Sequence, residues 1–156
     1  MTNRICAIEV DESGLAAPTP EVDQERKVAI YDLLEDNSFS IPRAAEFPGP
    51  YRLDLAIREG RLVFGIANEG GQKVAEFHLS MGPFRQVVKD YFQICESYFE
   101  AVKRLPTSQI EAIDMARRGI HNEGARVLQE RLEGKAELDG ATARRLFTLI
   151  CVMHWG

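Results

Sequence analysis

Apolar and polar residues alternate through most of residues 51–81, and this alternation is the clearest pattern in the chain. A period of two is typical of β-strands that have one buried and one solvent-exposed face. Breaks at 59–60 and 69–72 divide the segment into three strands, so we expect an antiparallel meander. The positions expected on its buried face are Tyr51, Leu53, Leu55, Ile57, Leu62, Phe64, Ile66, Ala75, Phe77 and Leu79.

The two-residue break at 59–60 also predicts the register of the first hairpin. A turn of this length sets Ile57 against Leu62. It then sets Leu55 against Phe64, so the apolar side chains of both strands share one face.

The region before the meander predicts one strand, one helix and a loop. Residues 4–10 alternate weakly and are rich in β-branched side chains, which favours a strand. Thr19 is a candidate N-cap for the helix that follows, and Pro20 suits its first position. Residues 40–50 contain three prolines, so we expect a surface loop there. The apolar positions of the helix are Val22, Ala29, Ile30 and Leu33.

Three segments after the meander have apolar residues at helical spacing. They cover residues 83–105, 108–133 and 139–155. Helices that follow a one-sided sheet are suited to cover its apolar face. We therefore predict an α+β fold: an antiparallel sheet of three or four strands, with C-terminal helices packed on one face and an N-terminal helix. The whole chain, 1–156, is expected to be a single globular domain.

The second and third of these helices carry candidate capping residues. Ser108 and Glu111 have the spacing of a capping box. Asp139 is a candidate N-cap for the last helix, which is apolar on nearly every side from 146 to 155. Such a helix lies in the middle of a core or in a dimer interface.

The stretch "ARRGIHNEGA", residues 116–125, decides whether 108–133 is one helix or two. The apolar positions keep helical phase across Gly119 and Gly124, which favours one continuous helix. Gly124 falls within the apolar arc, where the absence of a side chain would let another helix approach closely. The alternative is a break at Gly119, with Asn122 capping a second helix.

A continuous helix groups three polar residues into a candidate binding patch: Asp114, Arg117 and His121. Arg117 lies within the apolar arc, His121 lies at its edge one turn later, and Asp114 lies one turn earlier. A partly buried arginine needs an anionic partner. Three interpretations stay open: an ion pair completed by Asp114 or another acid, a site for a small anion or phosphate ester, and a catalytic role for His121. The remaining polar residues of the stretch, expected to face solvent, are Arg118, Asn122 and Glu123.

A weaker candidate anion site lies where the helix at 83–105 begins. Free amides at a helix start bind anions, and Arg85 and Lys89 are nearby. The segment lacks the glycine pattern of a phosphate-binding loop. The chain also contains no G-x-S-x-G, H-E-x-x-H or C-x-x-C motif, so the sequence identifies no catalytic residue.

Composition narrows the classes of partner. The formal net charge is −5 and the pI is about 5.3, whereas nucleic-acid binders usually have a basic face and a high pI. We expect no nucleic-acid partner. No apolar run approaches the roughly 20 residues of a membrane span, and the N-terminus lacks the layout of a signal peptide. We therefore expect a cytoplasmic protein without membrane contact.

The cysteine and histidine residues indicate neither disulfides nor a metal. Cys6, Cys95 and Cys151 stand at unrelated spacings in apolar surroundings, which is typical of reduced core thiols. The three histidines are far apart, and the pair Cys151 and His154 alone is not a metal-site pattern. We expect no metal and no cofactor.

Several longer strings carry a resemblance to a known family. They are "GPYRLDLAIREGRLVF", "GPFRQVVKDYFQICESYF", "IEAIDMARRGIHNEGARVLQERLEGK" and "ARRLFTLICVMHW". With these strings the chain resembles a family of small alphaproteobacterial proteins, number 0262 in the series of uncharacterised protein families. The resemblance covers nearly the whole chain. It implies no activity, so no catalytic residue is carried over.

Two functions of different class follow from these observations. The first is a non-catalytic interaction or regulatory module that forms a homodimer through its apolar C-terminal helix. The second is a protein or enzyme that binds a small anionic ligand, with Arg117 as the anion clamp and His121 as donor or base.

Overall fold

A computed structural model describes residues 3–11, 13, 17, 19–42 and 48–154. The strands are β1 (Ile5–Val10), β2 (Phe39–Ser40), β3 (Tyr51–Arg58), β4 (Arg61–Asn68), β5 (Lys73–Ser80) and β6 (Glu137–Leu138). The helices are α1 (Pro20–Glu35), α2 (Arg85–Arg104), α3 (Thr107–Arg131) and α4 (Gly140–Met153), and a short 3₁₀ helix, Gly82–Phe84, precedes α2. The α+β class is confirmed.

The predicted meander is present with the predicted register. Ile57 pairs with Leu62 and Leu55 pairs with Phe64 across the β3–β4 hairpin. Glu59 and Gly60 both have positive φ, at 54° and 74°, as a two-residue hairpin turn of type I′ requires. The apolar side of the sheet packs into the hydrophobic core that the described residues form.

The sheet is mixed, so the prediction of an antiparallel sheet is only partly right. Its strand order is β1-β3-β4-β5, and β1 runs parallel to β3. The intervening α1 carries the chain back across the sheet, which is the usual connection between parallel neighbours. The alternation within β1 predicts a strand but carries no information about its direction.

The side chain of Asn37 fixes β1 to the end of α1. Its Oδ1 accepts a hydrogen bond from the Ile5 amide at 2.6 Å. Its Nδ2 donates to the carbonyl oxygens of Ile5 at 2.9 Å and Leu33 at 2.7 Å. One carboxamide thus satisfies both backbone groups of Ile5 that face away from β3.

Helix α4 lies in the middle of the core. Asp139 caps it as predicted, with its Oδ1 accepting from the Thr142 amide at 2.8 Å. Both α1 and α3 pack against α4. Most of its apolar residues are therefore covered by their own chain, Val152 being only half-buried and Trp155 lying outside the described residues, and a homodimer through this helix stays a prediction. The buried residues of α4 are Thr142, Ala143, Leu146, Phe147, Thr148, Leu149, Ile150, Cys151 and Met153.

Helix α3 is continuous across both glycines, as the phase of its apolar positions predicts. The prediction of a capping box at Ser108 and Glu111 is wrong, because the N-cap is Pro106 and no side chain caps the helix. The carbonyl of Pro106 already accepts from the amides of Gln109 and Ile110. Ser108 is therefore inside the first turn rather than before it.

The predicted loop at 40–50 begins inside the core rather than on the surface. Ser40 belongs to β2, which pairs with β6, and Ile41 is 6% exposed. Residues 43–47 lie outside the described residues. The cysteines are free: Cys95 and Cys151 are buried, and Cys6 is partly exposed. Among the described residues, no helix is both long and apolar enough to cross a membrane.

Candidate functional site

Arg117 is paired with a carboxylate of α1, not with Asp114. Its Nη2 lies 3.5 Å from Oε1 of Glu25, and the two side chains are only 20% and 25% exposed. Its guanidinium also stacks over the ring of Tyr98, 4.9 Å from the ring centroid. Asp114 instead pairs with Arg118 at 2.9 Å. The three residues of the predicted patch therefore do not form one cluster.

Glu25 joins three helices. While its Oε1 contacts Arg117 of α3, its Oε2 accepts a hydrogen bond from the hydroxyl of Tyr91 of α2 at 3.3 Å. Burial, and then the nearby Glu25 carboxylate, raise the pKa of Tyr91, so the phenol keeps its proton. The phenol thus remains a donor to Glu25.

His121 lies in an aromatic cluster on the inner side of α3. Its ring is 5.2 Å from that of Tyr91 and 6.4 Å from that of Phe147. Its Nε2 lies 3.5 Å from Oγ1 of Thr148, which itself donates to the carbonyl of Arg144. Because the hydroxyl hydrogen is used there, Thr148 accepts from the imidazole N–H.

Electrostatics keep the His121 ring neutral. Burial, followed by the charges of Arg117 and Arg144, lowers its pKa to about 4, and Asp114 opposes this shift. An imidazole with a pKa this far below 7 has little basicity to offer near pH 7.

Arg117 and His121 line a groove of about 210 Å³ between α1 and α3. The groove also contains Arg144 and Arg145, two arginines at the start of α4 that the sequence interpretation passes over. Arg144 Nη1 lies 3.5 Å from Oδ1 of Asn122, and Arg145 Nη1 donates to the carbonyl of Asp36 at 2.8 Å. The lining residues are Glu25, Val28, Ala29, Asp32, Arg117, His121, Arg144, Arg145 and Thr148.

A signal for these arginines was present in the sequence. The run "TARRLFTLICVM" places two adjacent cations on a mostly apolar helix, five and six residues after the candidate cap Asp139. Arginine is almost never fully buried unless it is paired, so two adjacent arginines favour a turn of the helix that reaches solvent. Such a pair indicates where the buried helix reaches the surface.

The weaker candidate site at Arg85 and Lys89 lies elsewhere. Both residues line a separate, shallow cavity of about 430 Å³ that also includes Met81 and His154. Nδ1 of His154 lies 2.7 Å from the carbonyl oxygen of Ile150. The described residues contain no group of three His, Cys, Asp or Glu side chains able to hold a metal ion.

His78 lies on the solvent-exposed face of the sheet, as the alternation predicts. Its Nε2 is 2.8 Å from Oε2 of Glu76. This hydrogen bond, followed by one from Lys73, lowers the pKa of the Glu76 carboxyl. The contact is exposed and belongs to neither cavity on the helical side.

Comparison with known proteins places the chain in one family. The family described as "Uncharacterised protein family (UPF0262)" matches residues 2–156. A relative from Cereibacter sphaeroides strain ATCC 17029 is 75% identical, with 99% of each chain covered. One from Jannaschia sp. strain CCS1 is 73% identical, with 97% of each covered, and one from Paracoccus denitrificans is 71% identical, with 97% and 95% covered. All three are named as UPF0262 proteins. No solved structure matches the chain. The chain therefore belongs to the uncharacterised protein family UPF0262.

Proposed function

We propose that this protein is a non-catalytic binding module that holds a small anionic ligand in the groove between α1 and α3. The observation that carries the proposal is the convergence of Arg117, Arg144 and Arg145, from two helices, on one groove. Guanidinium groups in a partly enclosed site favour carboxylate or phosphate ligands, which they can bind in a bidentate manner.

The three arginines are not equivalent. Arg117 is already neutralised by Glu25 and held against Tyr98. Among the described residues, Arg144 and Arg145 hydrogen-bond to neutral oxygen atoms and form no salt bridge, although their charges also act on the nearby Asp139 carboxylate. Their charges are therefore available to a ligand, and Arg117 supplies the inner wall. Two acids line the groove: Glu25, which is paired with Arg117, and Asp32, whose charge opposes the binding of an anion.

The state of His121 supports a binding role rather than a catalytic one. A general base works best with a pKa near the operating pH, whereas that of His121 is lowered to about 4. Its contact with Thr148 also ties the ring to α4. The imidazole can contact a ligand as an uncharged ring, but it has little tendency to exchange protons near neutrality.

Thermal unfolding with added anions tests this function. Inorganic phosphate, compared with chloride at equal ionic strength, should raise the Tm because a ligand that binds only the folded state stabilises it. Arg144→Gln should remove most of this rise. Arg118→Gln, which changes an arginine of α3 that is 74% exposed and paired with Asp114, should leave it intact.

A third variant separates the two candidate anion sites. If Lys89→Gln removes the phosphate effect and Arg144→Gln does not, the anion binds at the start of α2 and the groove proposal is wrong. Equal stabilisation of all variants would show a general salt effect and would also contradict the proposal.

A further inference from the structure

We infer that a second cavity, on the opposite side of Glu25 from the groove, binds a small organic cation with an apolar body. It has a volume of about 320 Å³ and is formed by the start of α1, the middle of α2 and the end of α4. This inference does not rest on the anion site, because the two cavities share only Glu25.

The floor of the cavity is apolar and aromatic. Val22 and Cys95 are buried, and Phe92 and Phe99 are partly buried. Val152 of α4 completes the floor. Ligand pockets span roughly 300–1,000 Å³, so this cavity suits a compact body such as one substituted aromatic ring.

The rim of the cavity is acidic. Glu21, Glu25 and Glu96 line it, and the described lining residues include no arginine, lysine or histidine. Glu21 and Glu96 are exposed, and neither forms a salt bridge with a described residue. Burial raises the pKa of Tyr91 and of Cys95, so neither adds a charge at neutral pH. The exposed carboxylates of Glu21 and Glu96 therefore make the electrostatic potential at the entrance negative.

Charge and shape together select the ligand class. Arg117 compensates Glu25, so the charges of the exposed Glu21 and Glu96 are what disfavour an anionic ligand. A protonated amine can contact the carboxylates of the rim while its apolar body lies on the phenylalanine rings, whose faces also attract a cation. A neutral apolar molecule would use the floor alone.

Three probes with the same phenyl ring test this selection. They are phenethylammonium, 2-phenylethanol and 3-phenylpropionate, and methyl NMR titration of the whole protein follows their binding. We expect phenethylammonium to shift the methyl signals of Val22 and Val152 and to bind roughly ten-fold more tightly than the alcohol. The propionate should give no saturable shift.

Substitutions at exposed residues of the rim should not unfold the protein, because these side chains are outside the core. The double variant Glu21→Gln/Glu96→Gln should reduce phenethylammonium affinity to near that of the alcohol, while leaving the alcohol's affinity unchanged. Glu111→Gln, an exposed change on α3 outside the cavity, is the control. Equal affinities for ammonium and alcohol, shifts at other methyl groups, or no saturable binding of the ammonium would overturn the inference. None of these outcomes depends on whether phosphate binds the groove.

Discussion

Phe147 of α4 occupies the space that a side chain on Gly124 of α3 would need. A Cβ atom built on Gly124 would lie 2.5 Å from ring carbons of Phe147. The ring is fully buried and packs edge-on against Tyr91, with centroids 6.0 Å apart, so it has little room to move. The predicted close approach of another helix at Gly124 is confirmed, and the glycine sets the α3–α4 distance.

Replacing Gly124 should therefore destabilise the fold, although alanine favours helix. Overpacking of a core costs about 1–3 kcal/mol, whereas the helix propensity gained is about 1 kcal/mol, so we expect Gly124→Ala to lower the free energy of unfolding. Gly119 of the same helix has nothing within 4 Å of its built Cβ. Gly119→Ala should raise stability by up to about 1 kcal/mol. Urea unfolding followed by circular dichroism measures both, and equal effects of the two variants would contradict the packing explanation.

The Glu25–Arg117 pair should couple more strongly than the shorter Asp114–Arg118 pair. Glu25 and Arg117 are mostly buried, so removal of either leaves a poorly solvated charge, and the single changes to Gln should each cost about 1–3 kcal/mol. The double variant should lose clearly less than the two singles together. An exposed i,i+4 pair is worth only about 0.3–0.5 kcal/mol.

Double-mutant cycles of unfolding free energy measure the coupling in both pairs. A larger coupling for the exposed pair, despite its 2.9 Å distance, would mean that distance rather than burial decides the strength of these contacts.

His121 should make stability depend on pH between about 6.5 and 4. Its pKa is about 4 in the folded protein, against an ordinary value of 6.5. The unfolded chain therefore takes up the proton first as pH falls, so stability present at pH 7 is lost progressively down to about pH 4. His121→Gln removes this loss. The stability advantage of the wild type over the variant should shrink by roughly 1.5 kcal/mol between pH 6.5 and pH 5.

Two measurements check the His121 prediction. Urea unfolding of the wild type and His121→Gln at several pH values gives the difference in unfolding free energy directly. Carboxylates that titrate in both proteins contribute equally to the two values and do not affect this difference. NMR titration of the ring gives the pKa itself. A ring that titrates near 6.5, or a stability difference that does not vary with pH, would show that Arg117, Arg144 and burial do not act on His121 as the geometry indicates.

The elements with a strong local pattern were predictable from the sequence. The register of β3 with β4 follows from a period of two and a two-residue turn, because both signals lie within one short segment. The continuity of α3 follows from apolar phase alone. The direction of β1 was not predictable, because parallel pairing depends on how α1 packs rather than on the strand itself.

The candidate site was predictable only in part. Burial of Arg117 implied an acidic partner, but α1, α2 and α3 all carry acids, and the partner Glu25 is 92 residues away in the sequence. Helical spacing favoured Asp114 as the partner of Arg117, because it lies one turn earlier on the same helix. In the structure Asp114 pairs with the exposed Arg118 instead, since that contact needs no burial. Local periodicity does not encode which helices lie side by side.

The carboxamide of Asn37 has a consequence for self-association. β1 is an edge strand, and an unpaired edge is a template on which another chain can add a strand. By bonding both backbone groups of Ile5, Asn37 acts as a neighbouring strand one residue long. It blocks the start of β1 against edge-to-edge aggregation without lengthening the sheet.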